Sequence, residues 1–98
     1  MPAKKLEEAE ILKRLETVPG WERSGNEIQK QFSFRGFPQA MGFVFQVAFL
    51  AESLDHHPDI DIRYKKVTLK LSTHSAGGLT DLDFTLAVQI ETEAKTFA

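Results

Sequence analysis

The chain predicts an α+β fold: one domain with a four-stranded antiparallel sheet and three helices on one face. Three observations support this. Helix-periodic and strand-periodic segments follow one another in the order α-β-β-α-β-β-α. The strand segments alternate apolar and polar residues, so each has one side for a core and one for water, the pattern of an antiparallel sheet covered on a single side. With 98 residues, 42% of them hydrophobic, the chain is the size of one domain, and folding removes roughly 60–65% of the unfolded surface from water.

From Lys4 to Thr17, Leu6, Ala9, Leu12 and Leu15 recur every three residues among Glu, Lys and Arg, which predicts an amphipathic first helix. Pro19-Gly20 stops it. Trp21–Arg23 and Ile28–Phe34 flank Ser24-Gly25-Asn26-Glu27, a Gly/Asn turn between β-prone segments, and read as a hairpin. Ile28, Phe32 and Phe34 share one strand face, and Gln29, Gln31 and Ser33 the other. Phe37 to Asp55 is too long and too little alternating for a strand, so a helix is expected. Its apolar side chains cover an arc of roughly 260°, leaving a narrow strip of Gln39, Gly42, Gln46 and Ser53. One sheet cannot cover that arc. Residues 37–54 are therefore expected to pack on their own sheet with one side and on another subunit with the other, giving a homodimer or homotetramer through this helix or the sheet edges. The alternative is that the first and last helices cover the surplus.

After Pro58, Ile60, Ile62 and Tyr64 alternate with Asp59, Asp61 and Arg63. Farther on, Val67, Leu69 and Leu71 alternate with Thr68, Lys70 and Ser72. Two half-buried strands are expected there. Ala76-Gly77-Gly78 marks a turn. Thr80-x-x-Asp83 then opens the last helix as a capping box, with Leu79 and Phe84 as its hydrophobic staple and Leu82, Leu86 and Ile90 on its buried face.

Composition excludes several functions. The chain has no cysteine, hence no disulfide, thiolate nucleophile or Cys-based metal site, which fits a reducing compartment; cytoplasm is expected. Met1 to Glu8 has no apolar stretch for a signal peptide. The longest apolar segment, Phe43 to Ala51, is interrupted by Gln46 and too short to span a bilayer, so no membrane partner is expected. A net charge of -2 with interspersed signs offers no basic stripe for phosphates, and direct nucleic-acid binding is not expected.

All three histidines fall in one stretch, His56-His57-Pro58 and then His74, interleaved with Glu52, Asp55, Tyr64 and Asp83. Imidazole has an unperturbed pKa of about 6.5, so gathering the whole stock beside carboxylates points to proton transfer. His56 and His57 end the long helix, where the helix dipole favours imidazolium and Pro58 forces a turn. By alternation, His74 belongs with Thr68, Lys70 and Ser72 on the strand face away from the core, from where it can meet the His-His rim. Each residue also has a plain structural explanation: a helix cap for the histidines, the capping-box carboxylate for Asp83, a solvated position for Glu52. Glu52 fits that explanation least, because it points between Met41 and Phe45 inside the apolar arc, where a carboxylate needs a partner. A zinc or iron site from the three imidazoles and one carboxylate is a further reading, although adjacent helical residues diverge by about 100° and suit one metal poorly.

Glu52-x-x-x-His56-His57-Pro58, followed by Tyr64, His74 and Asp83 at set separations, resembles the signature of the pterin-4a-carbinolamine dehydratases. The length, the element order and the Trp21 hairpin are similar over essentially the whole chain. The resemblance implies dehydration of a 4a-hydroxytetrahydropterin to the quinonoid dihydropterin, the step that recycles the pterin used by aromatic amino acid hydroxylases. No cofactor and no metal is implied, since the pterin is the substrate. By the same resemblance, His56 and His74 do acid/base work and His57 holds and polarises the pterin. Glu52, Asp55, Pro58 and Asp83 bind or orient. Ile60 and Leu82 depart from the animal members, which carry an aromatic residue and an arginine there, so affinity or side-chain preference is expected to differ. Animal relatives also serve as dimerisation cofactors of a homeodomain transcription factor, which leaves a protein-binding module as the alternative function.

Overall fold

A computed structural model describes residues 3–98. Its elements are α1 (Glu8–Leu15), β1 (Glu22–Ser24), β2 (Glu27–Ser33), α2 (Phe37–Leu54), β3 (Asp59–Arg63), β4 (Lys66–Leu71), a short 3-10 turn at His74–Ala76, and α3 (Asp81–Thr96). The sheet runs β1-β2-β4-β3 with every neighbouring pair antiparallel. The α+β class and the element order are as the sequence predicts.

The core is the single apolar side of that sheet beneath the helices. Ile28 and Phe32 on β2 and Val67, Leu69 and Leu71 on β4 face inward, in a register that pairs Ile28 with Leu71 and Phe32 with Val67. Ala40, Phe43, Val47 and Ala51 recur every three or four residues along α2 and are buried, as are Phe84, Leu86, Ala87 and Ile90 on α3. Phe43 lies 5.0 Å from Phe32 and 4.9 Å from Phe34, centroid to centroid, both within the favourable range for aromatic pairs. The hairpin is tied to α3 by Glu91, whose Oε1 accepts from Trp21 Nε1 at 2.9 Å and Lys30 Nζ at 2.5 Å.

Four details differ from the sequence reading. In α1 the buried residue is Ile11, while Leu12 lies 59% exposed. A spacing of three drifts off one face of a 3.6-residue helix, so the run through Leu12 does not mark the buried side. β3 is not half-buried: it is the edge strand, the helices leave it bare, and Ile60 and Ile62 are 38% and 37% exposed although they pair with buried Leu69 and Val67. Tyr64 is not in a strand but in the turn after it, at a positive φ of 54°. Gly42 is not part of a solvated strip. A Cβ there would lie 2.6 Å from the Phe97 ring, so its missing side chain lets the end of α3 close on α2.

The surplus apolar arc of α2 stays open within the chain. Phe45 and Phe49 are 61% and 69% exposed, so α1 and α3 do not cover it. Among the described residues no helix is long and apolar enough to cross a membrane.

Candidate functional site

The way α2 ends decides where the adjacent histidines go. Leu54 is the last helical residue, and Asp55 follows in the left-handed conformation (φ 49°, ψ 44°), which aspartate tolerates better than most residues. The Asp55 N–H donates to Glu52 O at 3.2 Å and the His56 N–H to Ala51 O at 3.0 Å, the bond pair of a Schellman motif. His56 and His57 thus follow the helix rather than forming its last turn. The reversal sends His56 into the protein, where it is buried, and leaves His57 exposed.

Inside, His56 meets Asp83. This carboxylate is fully buried, with 0% exposure, and three donors meet it. Thr80 N–H and Thr73 Oγ1–H donate to Oδ2 at 3.0 and 2.9 Å, and His56 Nε2 lies 2.6 Å from Oδ1. The Thr73 and Thr80 hydroxyls are also paired, at 2.8 Å. An ionised carboxylate can only accept, so Nε2 carries a hydrogen and Nδ1 is the ring nitrogen left for other work. Asp83 is also the N3 residue of the predicted capping box, with the Thr80 hydroxyl accepting from Leu82 N–H at 3.2 Å. One side chain therefore both starts α3 and holds His56.

Thr73 was not among the residues the sequence singled out. Its signal is present: it continues the inward series Val67, Leu69, Leu71, and a hydroxyl on a core face needs a partner. His74 follows it directly, so one carboxylate and two hydrogen bonds link His56 to the residue before His74. His74 itself is exposed and opens the 3-10 turn, at the rim of a hollow between the β1–β2 turn and the end of β4.

The remaining predicted residues, like His56 and His57, do not line this hollow. Glu52 is 81% exposed in its side chain and does have a partner, because its Oε1 lies 2.9 Å from His57 Nε2. Asp55 makes the left-handed turn, and its side chain has no hydrogen bond to another described residue. Pro58 is half-buried before β3 and Tyr64 lies at the far end of that strand. Leu82 is partly buried in the first turn of α3. Among the described residues no group of three His, Asp or Glu side chains stands close enough to hold a metal ion.

A helix-covered antiparallel sheet that holds a buried His–Asp pair at the junction of α2, β4 and α3 defines a small α+β protein. Residues 4–93 match the family model described as pterin 4 alpha carbinolamine dehydratase, and the chain belongs to that family. A relative from Roseiflexus sp. (strain RS-1), named "Putative pterin-4-alpha-carbinolamine dehydratase", is 60% identical over 91% of this chain and 96% of its own length. One of the same name from Chloroflexus aurantiacus is 54% identical over 89% of this chain and 94% of its own. The crystal structure of a transcriptional coactivator/pterin dehydratase from Brucella melitensis superposes with a TM-score of 0.90 at 36% identity, covering 93% of this chain and 99% of that one. A pterin dehydratase-like protein described as a RuBisCO assembly factor of the alpha-carboxysome shares the fold, with a TM-score of 0.63 at 21% identity over 76% of this chain and 86% of that one.

Proposed function

We propose that the chain dehydrates a 4a-hydroxytetrahydropterin to the quinonoid dihydropterin and water in the cytoplasm, recycling the pterin of aromatic amino acid hydroxylases. The observation that carries this reading is the buried His56–Asp83 pair, joined through Thr73 to the residue before His74. The elimination needs one proton delivered and one removed. The 4a-hydroxyl leaves C4a as water after taking a proton, N5 gives up its hydrogen, and the pair left on N5 forms the C4a=N5 bond. Atoms and charge balance without oxidant, metal or cofactor. His56 and His74 supply the acid and the base, each contributing about 10²- to 10⁴-fold. Asp83 fixes the His56 ring so that Nδ1 faces the reaction. His57, steered by Glu52, holds and polarises the pterin from the exposed rim. Asp55 contributes through the turn that separates the two rings.

The test is a spectrophotometric dehydratase assay with and without chelator on wild type, His56→Ala and His74→Ala. The expected result is chelator-insensitive turnover that falls by at least 100-fold in each variant while the circular dichroism spectrum persists. Unchanged rates in both variants would refute the assignment.

A second copy of the chain is proposed as the occupant of the exposed α2 face around Phe45 and Phe49, with the unpaired outer edge of β3 as the other available contact. Light scattering is expected to give the mass of a dimer or tetramer. A monomer would instead favour a protein-binding role, as the coactivator and assembly-factor descriptions of the structural neighbours suggest for those proteins.

A further inference from the structure

We infer that Thr73 and Thr80 are positioning residues whose hydroxyls form a one-way hydrogen-bond chain, which holds Asp83 as an anion and keeps the His56 hydrogen on Nε2. The effect on turnover rests on the proposed dehydration; the direction of the chain does not. Both threonines are buried, at 5% and 0% exposure, and act on His56 through the carboxylate. The chain starts at the N-terminus of α3. Leu82 N–H, which can only donate, meets Thr80 Oγ1 at 3.2 Å. Thr80 Oγ1 lies 2.8 Å from Thr73 Oγ1, and Thr73 Oγ1 lies 2.9 Å from Asp83 Oδ2. Thr80 N–H, at 3.0 Å, is the second donor to Oδ2.

Counting hydrogens fixes the direction. Each hydroxyl owns one, and a single hydrogen lies between the two oxygens. If Thr80 supplies it, Thr73 keeps its own for Oδ2 and every group in the chain is paired. If Thr73 supplies it, Thr73 turns a lone pair toward Oδ2, and the Thr80 hydrogen has no other acceptor among the described residues. An unmade bond at a buried donor costs more than an ordinary hydrogen bond gains, so the first direction holds. A hydrogen on Oδ2 that donated to Thr73 would remove the first conflict of the reverse direction and leave the second. The chain therefore opposes a proton at Asp83, and the hydrogen that lies between His56 Nε2 and Oδ1, 2.6 Å apart, belongs to the ring. This matters to a ring that works through Nδ1. Each turnover makes it take and release a proton there. A ring whose Nε2 hydrogen drifts toward Oδ1 grips the Nδ1 proton harder and gives it up more slowly.

The experiment is proton and nitrogen-15 NMR of the His56 ring, with dehydratase kinetics, on wild type, Thr73→Val, Thr73→Ser and Thr80→Val. Valine keeps the shape of threonine and removes the hydroxyl, whereas serine keeps the hydroxyl. In Thr73→Val the hydrogen between His56 and Asp83 is expected to move downfield with a weaker one-bond coupling to Nε2, because a carboxylate short of one donor draws it closer. Thr80→Val should shift it the same way by less, since Thr73 can still donate, and it reads the same sign should Thr73→Val not fold. A site that had only loosened would let the pair lengthen and would move the resonance upfield. With one donor to a charged group lost, kcat should fall about tenfold in Thr73→Val at a KM within about twofold of wild type. Thr73→Ser should restore both the resonance and kcat. An unmoved or upfield resonance in the valine variants, or a Thr73→Ser protein that behaves like Thr73→Val, overturns the inference. The NMR reading needs no turnover, so the expected resonances in a protein that does not dehydrate would count against the proposed reaction alone.

Discussion

Replacing Asp83 by asparagine keeps the size of the side chain and reverses one hydrogen bond. The amide oxygen can take the place of Oδ2 and still accept from Thr80 N–H and Thr73 Oγ1–H. The amide nitrogen then stands where Oδ1 met His56 Nε2 at 2.6 Å, so two donors face each other unless the ring moves its hydrogen to Nδ1. Either outcome removes one charge-assisted bond inside a fully buried site, which costs about 1.5–3 kcal/mol. For a chain of this length each kcal/mol lowers Tm by roughly 4–8 °C, so a loss of about 2 kcal/mol should lower it by roughly 8–16 °C. The chemical effect should be larger than the structural one. A ring forced to carry its hydrogen on Nδ1 cannot accept a proton there, and the loss of that group should lower kcat by about 10²- to 10⁴-fold. Thermal melts by circular dichroism read the first quantity and the dehydratase assay the second. Nitrogen-15 NMR of the His56 ring reports which nitrogen is protonated. An Asp83→Asn protein with kcat within threefold of wild type and an unmoved His56 tautomer would refute the argument that Asp83 dictates the working nitrogen.

Other outcomes follow from the packing and surface. Gly42→Ala should gain up to about 1 kcal/mol of helix propensity but lose about 1–3 kcal/mol by pressing on Phe97, so Tm should fall. In a Phe97→Ala background the same change should raise Tm, and the sign reversal in thermal melts is the check. Phe45→Ser/Phe49→Ser should give a soluble monomer by light scattering, with unfolding stability per chain lowered only to the extent that wild-type assembly supplied it. The Arg23 guanidinium, hydrogen-bonded to Glu8 at 2.5 Å, holds that carboxyl below its ordinary value of 4.5. A carboxyl depressed in the folded state adds stability above its unfolded pKa and loses it as pH falls through the folded one. The urea midpoints of wild type and Arg23→Gln should therefore differ most above pH 4.5 and converge in stronger acid.

Much of this molecule is legible in its sequence, for reasons that can be named. Element order, the Gly/Asn hairpin and the Thr80–Asp83 capping box depend on local chemistry, on spacing and cap residue types, so they can be read along the chain. The length of α2 could be read because no alternating pattern interrupts it. What stayed hidden depended on neighbours. Ile60 and Ile62 alternate like core residues, but burial needs a helix above them, and the helices stop short of the edge strand. The inward turn of His56 depends on one left-handed residue, Asp55, which residue type permits but does not announce. The partnership of Thr73 with Asp83 joins two elements ten residues apart, and only its place in the inward series of β4 hinted at a need for company.

The reversal at Asp55 has a consequence for the two neighbouring histidines. Residues adjacent in sequence usually share an environment and can substitute for each other after a small motion. Here one ring is anchored in the interior by Asp83, while the other lies at the boundary with water beside Glu52. Exchanging them would mean unwinding the end of the helix. The doubled histidine is thus a pair of rings in unlike environments, and neither is positioned to take the other's place.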